Sequence, residues 1–295
     1  MLTSIYGTIT ALVTPMNSDG SPDFSSLKKL IDYQIDNGVN AIVPCGSTGE
    51  SATMSFDEKC EIIRFTVEYS DGKIPVIAGT GSHDTKAAIE LTKKAAEYGA
   101  DAVLLVSPYY NKPTQRGLIA HFSAIAEACE ISQILYNVPG RTAQNMEAET
   151  QLALAEAFPH IIATKEASAN LEQMMQIIKH APHNFAVLAG DDSLALPIIA
   201  SGGKGVISVM SNYAPKQFVN LINTCLQGDF KSARKIHFQL FELMKLNFIE
   251  TNPIPVKGIL SMLGLCQEFY RLPMQPLLSS NKEILRLALI DAGLI

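Results

Sequence analysis

The sequence predicts a (β/α)8 TIM barrel with three additional C-terminal helices, and three observations predict it. Short apolar, β-branched runs alternate with longer segments of helical period, and the alternation repeats eight times. The short runs are nearly continuous in apolar residues, as expected of strands covered on both faces. After about residue 229 the strand signal stops and only helical pattern follows. A doubly wound open sheet shares the alternation. However, no GxGxxG turn follows the first strand candidate, so the pattern favours the barrel.

In chain order, the strand candidates are Gly7–Thr14, Ala41–Cys45, Pro75–Ala78, Ala102–Val106, Gln133–Asn137, Ile161–Thr164, Phe185–Ala189 and Gly205–Val209. The helix candidates that follow them are Phe24–Asn37, Phe56–Tyr69, Asp84–Tyr98, Thr114–Ala128, Ala148–Phe158, Leu171–His180, Ser193–Ser201 and Pro215–Leu226. Gly38, Gly99 and Gly228 each follow a periodic run and can supply the left-handed residue that closes a helix. Beyond them, Phe230–Asn247, Val256–Leu263 and Lys282–Ala292 read as further helices, broken by Asn252-Pro253-Ile254-Pro255 and by Pro273 and Pro276. The expected organisation is a barrel over residues 1–228 and a helical extension over 229–295, packed on the barrel and helping to build subunit contacts.

Composition narrows the function classes. Hydrophobic residues at 47% supply a core, and charged residues at 18% are too few for a disordered chain. A net charge of -6 leaves no basic footprint for nucleic acid or an anionic membrane, though a few local cations still suffice for a small acidic substrate. The five cysteines are scattered and never spaced as CxxC, which suits reduced thiols in a cytoplasmic protein. Met1 to Met16 lacks the pattern of a signal peptide, and no apolar run approaches the roughly 18 residues of a membrane span.

In parallel barrels the chemistry gathers at the C-terminal ends of the strands. The sixth candidate runs into Lys165-Glu166. A lysine there should lose hydration and present a neutral amine able to attack a carbonyl. By alternation, Ile161, Ala163 and Lys165 should share one face. Position alone equally allows Lys165 to reach solvent or to pair with Glu166. The fifth strand places Tyr136 in the same layer, where a phenol can pass protons, with Arg141 on the loop beyond as a carboxylate fork. Each has a plainer reading, as a core tyrosine and an exposed loop cation. Gly46-Ser47-Thr48-Gly49-Glu50-Ser51 can turn N–H groups toward an anion or simply form a tight turn. Tyr109 and Tyr110 fall near the mouth, or at an interface. Gly190 allows close approach, and Asp191-Asp192 reads as a helix start. Of the six histidines only His83 lies near a strand's C-terminal end, so no metal site is expected.

GSTGES, SPYYNKP, ILYNVPGRT and ATKEAS stand in the order and spacing of the pyruvate-dependent class I aldolase family. The chain resembles its dihydrodipicolinate synthase branch over essentially the whole length, from GTITALVTPM to NPIPVK and RLPM. The resemblance implies condensation of pyruvate with aspartate-β-semialdehyde in lysine and diaminopimelate biosynthesis, without metal or organic cofactor. Lys165 matches the imine-forming lysine and Tyr136 the proton shuttle. Tyr110 matches a relay tyrosine that reaches a neighbouring subunit of a homotetramer. Ser47 stands where these synthases usually carry threonine, keeping the hydroxyl but losing the methyl that fixes its rotamer. Thr48 matches a pyruvate-carboxylate contact, Arg141 the contact to the second substrate's carboxylate, and Gly190 and Ile207 positions lining the pyruvate pocket.

Two departures and two alternatives accompany the resemblance. A Ser-Thr pair also occurs in N-acetylneuraminate lyases of the same superfamily, but those lack an arginine at the position of Arg141. Lysine-inhibited relatives carry two histidines and an acidic residue where this chain has Phe56, Lys59 and Ala87, which implies weak or absent lysine inhibition. The alternatives are a lyase or related oxo-acid aldolase with the same imine, and a catalytically silent ligand-binding barrel.

Overall fold

A computed structural model describes residue 2 and residues 4–295. The N-terminal reading therefore rests in part on residues outside the described ones. Eight parallel strands form the sheet: β1 (Gly7–Ala11), β2 (Ala41–Val43), β3 (Ile77–Gly79), β4 (Ala102–Val106), β5 (Ser132–Asn137), β6 (Ile161–Glu166), β7 (Ala186–Ala189) and β8 (Gly205–Ser208). They run in the order β2-β1-β8-β7-β6-β5-β4-β3. The remaining seam closes through the parallel bridge Ile42↔Val76, with the Ile42 N–H donating to Pro75 O at 3.0 Å and the Gly79 N–H to Pro44 O at 2.9 Å. A Cβ at Gly79 would stand 2.3 Å from Cys45 O, so only glycine permits this approach. The barrel expected from the sequence is the fold observed.

The helices are α1 (Phe24–Asp36), α2 (Phe56–Ser70), α3 (Thr85–Glu97), α4 (Gln115–Ala128), the single turn α5 (Pro139–Thr142), α6 (Ala148–Ala157), α7 (Leu171–His180), α8 (Ala195–Ala200) and α9 (Pro215–Leu226). Local chemistry explains their ends. Asp23, Asp84, Thr114 and Asn170 accept backbone N–H groups at the starts of α1, α3, α4 and α7, and Ser55 with Glu58 forms a reciprocal capping box on α2. Gly38, Gly99 and Gly228 take φ of +74°, +88° and +81° just past α1, α3 and α9, as their sequence positions predict. α10 (Phe230–Leu246), α11 (Ile254–Met262) and α12 (Ser279–Asp291) complete the chain, α11 beginning two residues earlier than its periodicity suggests. Among the described residues no helix is long and apolar enough to cross a membrane.

Two apolar layers hold the barrel. Ile9, Val43, Ile77, Leu104, Ile134 and Leu188 belong to the cluster that fills the interior, while Ile42, Val103, Leu105, Leu135, Val187 and Val206 pack outward against the helices. One element departs from simple alternation. β6 pairs with β5 as Gln133↔Ile161 and then Ile134↔Ala163, a bulge that leaves Ile162 unpaired. Ile161 therefore joins the outer layer and Ile162 the inner one beside Ala163. The expectation that Ile161 shares a face with Lys165 is corrected by that extra residue.

Candidate active site

The site begins with β6, which extends two residues beyond its predicted end and carries Lys165 and Glu166 inside the strand. Lys165 pairs in register with Tyr136 of β5 and Leu188 of β7. Its side chain is 5% exposed, and its Nζ stands 4.2 Å from the centre of the Tyr136 ring. Glu166 points the opposite way. It accepts from Asn137 Nδ2 at 2.7 Å, Gln151 Nε2 at 2.7 Å, Gln173 Nε2 at 3.1 Å and Ser168 Oγ at 2.5 Å. Burial raises the pKa of its carboxyl against the pull of these donors. Of the readings that position left open, the ones with Lys165 in solvent or paired to Glu166 are removed.

Lys165 and Tyr136 line a cavity of about 610 Å³ at the C-terminal end of the strands, with Ser47, Thr48, Arg141, Gly190 and Asp191 on its walls. Burial raises the Asp191 pKa, opposed by the Lys165 charge. Gly190 is a packing requirement, because a Cβ would meet Ala167 Cβ at 2.4 Å and Glu166 O at 2.9 Å. Ile207 is fully buried in the interior cluster and is not a lining residue of the cavity. Asp192 does not cap a helix with its side chain. It is buried, its Oδ2 accepts the N–H groups of Met210 at 2.8 Å and Val209 at 3.3 Å, and burial pushes its pKa up to about 6.

The turn after β2 is tightly wound, with Cys45 and Glu50 at φ of +56° and +57°. Gly49, Glu50 and Ser51 spend their N–H groups on Gly46 O, Ser47 O and Gly46 O. Within residues 46–51 the N–H groups of Gly46, Ser47 and Thr48 make no such bond, so any anion nest in this turn is confined to those three. Thr48 is buried and its Oγ1 accepts from Asn252 Nδ2 at 3.0 Å. Glu50 forms a fully buried ion pair with Lys257 of α11, at 2.6 Å. Ser47, Arg141 and Asn252 also line a neighbouring cavity of about 260 Å³ with Lys59 and Tyr109.

Arg141 sits in α5 at the mouth, its Nη2 donating to Asn252 O at 3.1 Å. Tyr110 is not brought to the site within one chain: it is 92% exposed, at φ +71°. The sequence reading gave no role to Phe248, Glu250 and Asn252, which line the cavity from the segment before α11. Of the three only Asn252 falls within the NPIPVK run. Among the described residues no group of three or more His, Cys, Asp or Glu side chains could hold a metal ion. The arrangement offers a buried primary amine against a phenol, hydroxyls beside free amides, and a guanidinium above them, which suits an imine-forming reaction on a carboxylate-bearing carbonyl compound.

The family model described as "Dihydrodipicolinate synthetase family" matches residues 4–291. The chain belongs to that family. Among curated members of the dihydrodipicolinate synthetase family, the 4-hydroxy-tetrahydrodipicolinate synthase of Koribacter versatilis is 48% identical over 292 residues, covering 99% of this chain and 97% of that protein. The Ralstonia nicotianae synthase is 47% identical over 294 residues, covering each chain fully. The crystal structure of dihydrodipicolinate synthase from Aquifex aeolicus superimposes with a TM-score of 0.97 at 46% identity, covering 98% and 99% of the two chains. The chloride-inhibited Acinetobacter baumannii enzyme, solved in complex with pyruvate, gives 0.97 at 44% identity, covering 99% and 100%.

Proposed function

We propose that this protein condenses pyruvate with aspartate-β-semialdehyde to give 4-hydroxy-tetrahydrodipicolinate, in the lysine and diaminopimelate pathway. The observation that carries the proposal is the register pair Lys165–Tyr136, with the amine buried at the base of the cavity and Arg141 at its mouth. Lys165 adds through its amine to the pyruvate ketone, and loss of water gives an imine. Loss of a C3 proton gives the enamine, whose carbon attacks the aldehyde of the second substrate. That substrate's amine then adds to the imine carbon, closing the ring and releasing Lys165. The protonated imine is the electron sink, so no metal or organic cofactor is assigned.

Tyr136 passes protons at the imine, Ser47 links it to Tyr110, Thr48 holds the pyruvate carboxylate and Arg141 the carboxylate of the semialdehyde. Gly190 and Ile207 shape the pyruvate pocket, Gly190 at its wall and Ile207 beneath it. The exposure of Tyr110 supports its donation to a neighbouring copy, within a cytoplasmic homotetramer. The barrel over 1–228 and the helical extension over 229–295 are assigned to one catalytic unit, because Asn252 and Lys257 of the extension hold the turn after β2.

The test is pyruvate-dependent NADPH oxidation with aspartate-β-semialdehyde and the coupled reductase, run beside N-acetylneuraminate cleavage and borohydride trapping with pyruvate. Wild-type protein should gain a covalent pyruvate adduct and turn over the semialdehyde, and Lys165→Ala should lose both while remaining folded. Adduct formation with cleavage of N-acetylneuraminate alone would move Arg141 out of its role. Absence of an adduct would overturn the imine.

A further inference from the structure

We infer that Asn252, on the segment leading into α11, is a positioning residue that sets the direction of the Thr48 hydroxyl for the pyruvate carboxylate. The inference rests on the assignment of Thr48 as that contact.

Asn252 is 4% exposed and reaches two walls of the site with two different groups. Its side-chain Nδ2 donates to Thr48 Oγ1 at 3.0 Å, and its main-chain carbonyl accepts from Arg141 Nη2 at 3.1 Å. A threonine hydroxyl has one hydrogen to give and accepts on the oxygen. With Asn252 donating, the Thr48 hydrogen must point elsewhere, and among the described residues it has no other side-chain partner. Thr48 lines the cavity, so the arrangement leaves one oriented donor for an anion there. The neighbouring N–H groups of Ser47 and Thr48 are likewise unspent on the backbone. The start of α11 just after Asn252 is anchored: Lys257 Nζ meets Glu50 at 2.6 Å, and the Tyr270 hydroxyl donates to Ile254 O at 2.8 Å.

This division of labour gives a split that a merely structural role would not produce. A side-chain change at Asn252 leaves its main-chain carbonyl, and hence the Arg141 contact, in place. Asn252→Ala should therefore raise the KM for pyruvate by about 3- to 10-fold, the worth of one neutral hydrogen bond. KM for the semialdehyde should change by less than about twofold. Asn252→Asp keeps the shape but offers only acceptors near neutral pH, so Thr48 would turn its hydrogen away from the cavity and a like charge would face the substrate. Aspartate should then be worse than alanine for pyruvate, by about tenfold or more against wild type. A packing role orders the two the other way, because aspartate is isosteric and alanine leaves a gap.

The experiment measures both KM values and the rate of borohydride trapping with pyruvate alone, for wild type, Asn252→Ala, Asn252→Asp, Thr48→Val and the double variant Thr48→Val/Asn252→Ala. The expected result is aspartate worse than alanine in pyruvate KM, and a double variant no worse than Thr48→Val, since Asn252 acts through that hydroxyl. Alanine worse than aspartate, additive effects, or a rise confined to the semialdehyde KM would overturn the inference. If the alanine variant does not fold, Asn252→Ser takes its place with the same expected order against aspartate. A wild type that traps no pyruvate would instead remove the imine mechanism, and this inference with it.

Discussion

The buried pair between Glu50 and Lys257 ties the turn that carries Ser47 and Thr48 to the helical extension, and replacing Lys257 with methionine isolates its contribution. Lys257 is fully buried, its Nζ 2.6 Å from Glu50 Oε1, beneath the ring of Tyr270. Methionine keeps the bulk of the stem but removes the cation. Glu50 would then stay buried with a single N–H contact, from Arg271 at 3.4 Å. Removing one partner of such a pair costs about 3–5 kcal/mol, because the remaining charge has lost both water and its counter-ion. The unfolding entropy of a 295-residue chain is about 0.6 kcal/mol/K at the usual value per residue, so Tm should fall by about 5–8 °C. The double variant Glu50→Gln/Lys257→Met buries no charge and should recover most of that loss. Thermal unfolding at one fixed protein concentration measures both, since any subunit association also shifts Tm. A fall below about 2 °C in the single variant, or a double variant less stable than the single, would refute the argument that the pair is dry.

Three further outcomes follow from particular positions. Gly190→Ala drives a methyl to 2.4 Å from Ala167 Cβ, so stability should drop by about 1–3 kcal/mol and pyruvate turnover with it; normal melting and turnover would contradict the crowding. Asp192 titrates at about 6 in the fold against an ordinary value of 3.8, so the folded state holds its proton more tightly than the unfolded chain. Its contribution is complete below pH 3.8 and is lost as pH rises through about 6, on the order of 2–3 kcal/mol. Asp192→Asn should thus gain stability relative to wild type across that window in denaturant titrations; a pH-independent difference would count against it. Finally, activity should persist at millimolar lysine, because Lys59 and Ala87 replace groups that would receive the effector's cation. Half-inhibition at sub-millimolar lysine would reverse that expectation.

Much of this architecture was legible because its signals are local. Strands covered on both faces must be apolar throughout, and helices capped by Gly38, Gly99 and Gly228 announce where they end. Lys165 and Tyr136 were legible for the same reason, as polar residues at the C-terminal ends of apolar runs. The neighbours of Thr48 were not. Its partner Asn252 lies 204 residues away, and no periodicity within either segment encodes the contact. Asp191-Asp192 does begin a helical turn, as an acidic pair after a strand suggests, but the reach of the Asp192 carboxylate to the backbone after β8 has no local signal. Tyr110 was legible as a residue near the mouth, but it is almost fully exposed and does not line the cavity within this chain.

The facing of Lys165 has the least local cause of all. A one-residue slip in a strand exchanges its two faces, so an inward Lys165 requires something to select that register. Strict alternation from the outward Ile161 would turn Lys165 outward, and the bulge at Ile162 resets the alternation so that it faces in. Glu166 supplies the selection from the other side. Its register partner on β5 is Asn137, which donates to it directly, while Gln151 and Gln173 donate from α6 and α7. Facing inward, Glu166 would lose all three amides and put a carboxylate where the apolar interior packs. The polar network behind the strand thus favours the register that leaves Lys165 opposite Tyr136 in the cavity. The amine is placed as much by the residue beside it, pointing away, as by anything it touches.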